Sequence, residues 1–300
     1  MGATLRSALD LLLRPLQVTL YALSGLVPRD PRRWVLGTWG GYRFADNAAA
    51  VLEYLADHPR PGIRAAWLTR RRDLIAELRA RGHVAHHVWS PAGVWWSLRS
   101  GVAIYDSTPH DLNFWLSRGT RRVLLRHGIG MKKVERAIDV PGHRLHQVFH
   151  GWGPRALFWR IALPWHLPVP DLVAASSPEH AAQAPAYFGV GPEQVVITGF
   201  PRHDRLAELP PADPAAIPTL GPPVPAGRPV VLYLPTFREG WRAHRFDWSD
   251  LEQAAARAGV TLAVKLHVVD ARRGVLDLET LHASPHLRLV DPTVDPVDLY

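Results

Sequence analysis

The sequence predicts an α/β protein of two lobes, preceded by an amphipathic helical segment. Three observations carry this. From Trp34 onward, short β-rich runs alternate with helical patterns, the order that builds parallel strands joined by crossover helices. Several of the runs are apolar throughout, as strands covered on both faces are. A proline-dense segment, 207–229, interrupts the alternation, which then resumes.

Composition narrows the class further. With 47% hydrophobic and 21% charged residues in 300, the chain has the balance of a protein that buries a core. The absence of cysteine excludes disulfides, thiolate metal sites and a cysteine nucleophile. The net charge of +8 favours an anionic partner. Only Lys132, Lys133 and Lys265 are lysines, and the other 32 basic residues are arginines.

Taken in order, residues 1–33 hold the first element. Leu5, Leu9, Leu12, Leu16, Leu20, Leu23 and Val27 fall at helical spacing on one face, interrupted by Arg6, Asp10 and Arg14. Pro15 is expected to bend or split this helix. The charge-free run from Pro15 to Pro28 is too short to span a bilayer. The helix therefore either docks on the protein's own core or lies in a membrane interface.

The first lobe, 34–206, reads as strands at Trp34–Trp39, Ile63–Thr69, Val84–Trp89, Val102–Tyr105, Val123–Arg126, Leu172–Ala175 and Val195–Thr198. Helices are expected at Asn47–Asp57, Arg72–Arg81, Pro91–Arg99 and Pro178–Tyr187. Segment 207–229 reads as a semi-rigid linker. The second lobe, 230–300, offers strands at Val230–Leu234, Thr261–Leu266 and near Leu287–Val290, with a helix at Trp248–Ala258. Some 70 residues make a marginal lobe, so it reads as incomplete.

Four polar segments follow strand ends, where open α/β sheets bind ligands. The first runs from Arg126 to Lys133 and contains His127, a residue suited to deprotonating a hydroxyl; Gly128 and Gly130 admit a substrate, and Lys132 and Lys133 suit phosphate. The second, Gly199 to Asp204, contains Arg202 and Asp204, which are expected to pair. The third, Tyr233 to Arg238, offers Thr236 and Arg238 to a phosphate. In the fourth, Lys265-Leu266-His267, alternation puts Lys265 and His267 on one face. After the first strand, Gly40 and Gly41 permit a tight turn, and Asp46 or Asn47 is expected to cap the next helix. The sixteen histidines include no metal-binding spacing, so no metal site is predicted.

These segments, in this order and at these separations, resemble the CDP-glycerol glycerophosphotransferase family of teichoic-acid and capsule polymer enzymes. Phe44-x-Asp46-Asn47 after the first strand resembles it too. The likeness runs from about residue 30 to the end. It implies two Rossmann-like lobes of GT-B type, with the donor in the C-terminal one and peripheral attachment to the cytoplasmic face of the bacterial membrane. It favours the interfacial reading of residues 1–33. It also implies transfer of glycerol phosphate, or a related polyol phosphate, from a CDP-activated donor to a lipid-linked acceptor, with release of CMP and no cofactor.

By that resemblance His127 is the general base and His267 and Arg238 stabilise the diphosphate. Thr236 and Lys265 support them, Lys132 steers the anion, and Arg202 belongs to the donor-binding set. Three departures stand out. Gly-Ile-Gly-Met follows His127 where the family has Gly-Thr-Pro-Leu, Val268 replaces a proline, and no Asp-Tyr-Ser-Ser motif occurs before Tyr300. Two other readings compete: a GT-B glycosyltransferase using a nucleotide sugar, and a truncated, non-catalytic membrane-surface protein. No nucleic-acid-binding module is present.

Overall fold

Strand β1 (Asp30–Gly37) is an interior strand, beside the central one, of a seven-stranded sheet whose order is β3-β2-β1-β4-β5-β6-β7. The flanking strands are β2 (Arg64–Thr69), β3 (Ala85–His87), β4 (Ser100–Tyr105), β5 (Arg121–Leu124), β6 (Leu172–Ala175) and β7 (Val195–Ile197). Every pairing is parallel. The computed structural model describes residues 12–208, 213–235, 248–266, 284–292, 294 and 299.

The two-residue period of a strand explains why these runs are apolar throughout. Val35, Leu68, Ala103, Tyr105, Leu124 and Val173 point to one face and share a core with Ala184 and Phe188 of α7 (Pro178–Phe188). Their neighbours Leu36, Trp67, Ile104, Leu125 and Ala174 point to the other face. There they meet Ala48, Ala49 and Leu52 of α2 (Asp46–Asp57), and Leu74 and Leu78 of α3 (Arg72–Ala80). Each fully buried Leu or Val contributes roughly 1.5–3 kcal/mol. A polar residue on either face of β1 would therefore break the sheet at its centre.

Helix α1 (Arg14–Ser24) carries Pro15 in its first turn, where the missing N–H has no intrahelical partner to lose. Leu12 is helical and Leu13 a turn, so the interruption expected at Pro15 falls at the start of this helix. One side of α1 is docked: Tyr21 stacks on Phe114 with ring centroids 4.6 Å apart, and Arg14 lies over Trp115 at 4.9 Å. The other side exposes Leu16, Val18 and Leu23.

Three further helices complete the set in this region: α4 (Pro91–Arg99), α5 (Arg144–Phe149) and α6 (Gly153–Ala162). The sequence predicts no element between β5 and β6, yet α5 and α6 occupy that stretch. Both are short, and α6 exposes Leu157, Phe158 and Ile161, so no inward apolar stripe announces it. Helix α8 (Pro201–Glu208) also lies where the sequence suggests only a polar loop.

The chain folds as two compact units, Met1–Ala207 and Glu208–Tyr300. In the second, β8 (Val230–Tyr233), β9 (Thr261–Val264) and β10 (Leu287–Leu289) form a parallel sheet in the order β10-β9-β8, accompanied by α9 (Trp248–Ala258). The proline-rich stretch belongs to this unit. Ile217 and Val224 are buried with Ala263, Val290 and Leu299. Leu220 N donates to Leu289 O at 2.7 Å, and Asp291 N to Pro218 O at 2.9 Å. Prolines that cannot donate to a ladder sit well along a sheet edge, so a segment expected to be a linker is partly core.

Candidate active site

Strands β1 and β4 are neighbours, but the chain leaves them in opposite directions across the sheet, through β2 and β3 on one side and β5 to β7 on the other. That reversal is the topological switch point, where loops part and leave a crevice. Residues from the ends of β1, β4, β5 and β7 meet there.

After β1 the backbone turns through Trp39, Gly40 and Gly41, all at positive φ. At Gly41 (φ 80°) a Cβ would come within 2.6 Å of the Arg70 guanidinium, so both conformation and space require glycine. Asp111 holds this turn by accepting from Gly40 N at 2.8 Å, and it also accepts from Ser107 N at 2.8 Å. Burial raises the Asp111 pKa against these hydrogen bonds. Arg70 donates to the carbonyls of Gly40, His110 and Leu112, which ties the β1 and β4 loops together.

The turn delivers Asp46, another residue in the left-handed region (φ 68°), to the start of α2. The sequence predicts that Asp46 or Asn47 caps this helix. Asp46 Oδ1 accepts from Asn47 N at 3.1 Å, and Asp106, at the end of β4, joins it, its two carboxylate oxygens accepting from Ala48 N at 3.2 Å each. Burial, then the neighbouring Asp46 carboxylate, push the Asp106 pKa well up.

Asp46 makes side-chain contacts as well. Its Oδ2 accepts from His127 Nδ1 at 2.5 Å, and its Oδ1 accepts from Arg202 Nη1 at 2.7 Å. Arg202 therefore pairs with Asp46, not with Asp204 as expected. Asn47 is buried and bridges the same parts: Nδ2 donates to Arg126 O at 2.6 Å, and Oδ1 accepts from Arg202 N at 3.1 Å. Arg126, just before His127, is also left-handed (φ 68°).

Against an ionised carboxylate, which only accepts, a neutral His127 carries its proton on Nδ1 and presents the lone pair of Nε2. The Asp46 side chain is 5% exposed and that of His127 31%, so the orienting acid is hidden while the imidazole opens to solvent. Trp39 flanks the ring, with centroids 5.1 Å apart. A hidden acid, an oriented histidine and a free nitrogen make a proton acceptor for a hydroxyl.

Asp46, Asp106 and His127 also bring one ligand atom each within 4.8 Å of one another, the sole grouping of metal-ligand type among the described residues. Both Asp46 oxygens are already engaged by His127 and Arg202.

Three other predicted residues, Lys132, Lys133 and Lys265, are described. Lys132 is exposed on the loop after His127. Lys133, expected to suit phosphate, pairs with Asp139 at 2.5 Å. Lys265 is buried just beyond β9, and its Nζ donates to Pro292 O at 3.3 Å. Thr236, Arg238 and His267 fall outside the described residues. Sequence reasoning misses Asp106, Asp111 and Arg70. A signal for Asp106 is there: an acid directly after an apolar strand, at the edge where ligands bind.

The sequence profile of the CDP-glycerol:poly(glycerophosphate) glycerophosphotransferases matches residues 19–293. The chain belongs to this family. Family membership makes it a transferase that uses CDP-glycerol. Among solved structures, the wall teichoic acid polymerase TagF superposes with a TM-score of 0.64 at 15% identity, covering 99% of this chain and 71% of that one. A histidine-to-asparagine variant of TagF soaked with CDPG gives a TM-score of 0.66 at 15% identity, covering 98% and 69%. These likenesses establish the glycerophosphotransferase's fold class as α/β and GT-B-like. Among curated proteins none matches the chain.

Proposed function

We propose that this glycerophosphotransferase moves glycerol phosphate, or a related polyol phosphate, from its CDP-activated donor to a membrane-lipid-linked acceptor in teichoic acid or capsule polymer synthesis, releasing CMP. The observation that carries the reading is the Asp46–His127 pair at the switch point, in a chain of this family.

In the proposed step the acceptor hydroxyl oxygen attacks the β-phosphorus of the donor. The bond from that phosphorus to the bridging oxygen breaks, and CMP leaves with the electron pair. His127 Nε2 takes the hydroxyl proton. The Asp46 carboxylate stabilises the imidazolium so formed, and Arg202 and Asn47 fix Asp46 and the His127 backbone in place. We assign Arg238, His267, Thr236 and Lys265 to the donor diphosphate, and Lys132 to steering it. In this reading those cations and donors meet the charge on the transferring phosphoryl group, and no metal is invoked.

The lipid-linked acceptor is consistent with the exposed apolar side chains of α1 (Leu16, Val18 and Leu23) and of α6 (Leu157, Phe158 and Ile161). Arg14 Nη2 donates to Ala162 O at 3.4 Å, which joins the start of α1 to the end of α6. Exposed apolar residues on both helices suit peripheral attachment to the cytoplasmic membrane face. No helix among the described residues is long and apolar enough to cross a membrane.

CMP release with purified full-length protein, membrane acceptor and CDP-glycerol tests the proposal. His127→Ala is expected to lower kcat roughly a thousandfold while the fold survives. Undiminished turnover in that variant removes His127 from the mechanism. Preference for UDP-sugars in a donor panel replaces the reading with a glycosyltransferase.

A further inference from the structure

Asp106 is a buried acid that the proposed step leaves without a task. It is wholly buried and follows Tyr105, the last residue of β4. Strand β4 is the central strand of the sheet, with β1 on one side and β5 on the other. At its end Tyr105 pairs with Gly37 of β1 and with Leu124 of β5, and Tyr105 O accepts from Leu125 N at 2.9 Å. The chain leaving β1 leads to Asp46, and the chain leaving β5 leads to His127. Asp106 thus sits at the end of the one strand fixed to both of the strands whose loops must meet.

Both loops need holding. Asp46 and Arg126, the residue before His127, are each at φ 68°, a conformation that persists only where the surroundings impose it. The chain after Asp46 is held residue by residue. Asn47 Nδ2 donates to Arg126 O, and Asn47 Oδ1 accepts from Arg202 N. Ala48 N, in the first turn of α2, has no intrahelical acceptor and donates to the two oxygens of Asp106. Asp106 therefore links this turn to the central strand. It also lies within reach of the site: one oxygen of Asp106, one of Asp46 and one ring nitrogen of His127 fall within 4.8 Å of one another.

Such a link calls for an acceptor, not for a second charge. The Arg202 guanidinium and His127 Nδ1 both meet Asp46, and no cation pairs with Asp106 among the described residues. Burial, then Asp46, push the Asp106 pKa well up, against the Thr38 hydroxyl and Ala48 N, and Asp111 adds to the rise. Two buried carboxylates this close repel more strongly than one helix N-terminus attracts the second charge.

We propose that Asp106 is a positioning residue of the transfer reaction: it acts through Asp46, pinning the first turn of α2 to the end of β4 so that the Asp46 carboxylate stays on His127 Nδ1. This rests on the reading of His127 as the proton acceptor, so the experiment includes a measurement of the imidazole that needs no turnover.

Asp106→Ala removes the acceptor, whereas Asp106→Asn keeps its shape and an acceptor oxygen. For the full chain and each variant, kcat and the KM values for CDP-glycerol and membrane acceptor are measured per folded molecule. Imidazole nitrogen resonances, assigned to His127 by their loss in His127→Ala, report which ring nitrogen carries the proton. Misplacing a catalytic group by about 1 Å costs on the order of a hundredfold. In Asp106→Ala, kcat is therefore expected to fall roughly thirty- to a hundredfold, with both KM values within about twofold of wild type. The Nδ1–H pattern of His127 is expected to give way to a mixture of tautomers. Asp106→Asn is expected to restore that pattern and to bring kcat back to within about fivefold of wild type. An unchanged kcat in Asp106→Ala, or a rise in KM alone, overturns the proposal. So does a loss in Asp106→Asn beyond that margin, and this variant decides alone if Asp106→Ala does not fold. A wild type that transfers nothing from CDP-glycerol overturns the functional reading instead. The tautomers then decide on Asp106, and His127 resonances that are the same in wild type and Asp106→Ala overturn its role.

Discussion

The two edges of the seven-stranded sheet each hold a half-buried arginine, and they satisfy it in opposite ways. At the edge where the strands begin, both Nη atoms of Arg29 donate to backbone carbonyls only: Ser97 and Leu98 at the end of α4, Ser24 at the end of α1, and Leu116 and Arg118 in the loop before β5. Helix C-termini present unpaired carbonyls and the negative end of the dipole, so a cation there completes three chain crossings at once. At the edge where the strands end, Arg202 is met by a side chain, Asp46, which is shared with His127. Three of the four left-handed non-glycine residues among those described, Trp39, Asp46 and Arg126, surround that histidine. Each such conformation costs about 1–3 kcal/mol. One edge is built for cohesion, and the other holds strain that only the surrounding hydrogen bonds keep in place.

If that division holds, substitutions at the two edges separate activity from stability. The largest effect is expected from Asp46→Asn, which removes the charge that orients His127 and stabilises its protonated form. Turnover is expected to fall roughly a thousandfold, with a thermal midpoint close to wild type. Measured kcat beside calorimetric unfolding checks this, and a variant that unfolds with its activity intact per folded molecule would erase the contrast. Arg29→Met is expected to do the reverse. Losing the charged donor from five carbonyls should lower the unfolding free energy by about 3–4 kcal/mol in urea titrations, while the KM for CDP-glycerol stays put.

The same division explains what was legible in the sequence. The strands could be read because burial on both faces leaves an uninterrupted apolar run, as at Val35–Leu36 and Trp67–Leu68. His127 was legible from its place after β5. Its partner was not. Asp46 before an apolar helix looks like a local cap, which its bond to Asn47 N makes it, and only tertiary structure brings Asp106, His127 and Arg202 to the same place. The Arg202–Asp46 bond spans 156 positions, so the nearer Asp204 looked like the partner. The proline-rich stretch misled for the complementary reason: composition marked its missing donors but not the core positions at Ile217 and Val224.

A smaller effect is expected from pH, and it belongs to the strand-end edge. Burial, then Arg70, His166 and Arg14, lower the His110 pKa from its ordinary 6.5 to about 4. Between those values the unfolded chain takes up a proton that the folded chain refuses. Stability is therefore full above about pH 6.5 and falls as the pH drops toward 4, by up to about 3 kcal/mol. Buried Asp106 works in the opposite direction, because its raised pKa lowers stability as the pH rises through the folded-state value. His110→Phe, which keeps a ring against Trp165, isolates the histidine's share: its urea midpoint should lose most of the acid-side slope between pH 7 and 4.

The smallest effect tests where the strand-end edge stops being a built site and becomes plain surface. Lys132 follows His127 by five residues, yet it is exposed and stands outside the Asp46–Asn47 network that fixes Arg202. An exposed charge acts on an anionic donor through long-range attraction, which salt screens over about 8–10 Å. Lys132→Ala should therefore lower kcat/KM for CDP-glycerol about twofold at low salt and not at all near 0.5 M, with kcat unchanged throughout. A salt-independent loss in kcat would show that Lys132 touches the reacting groups. The site would then extend beyond the side chains that strain and hydrogen bonding hold in place.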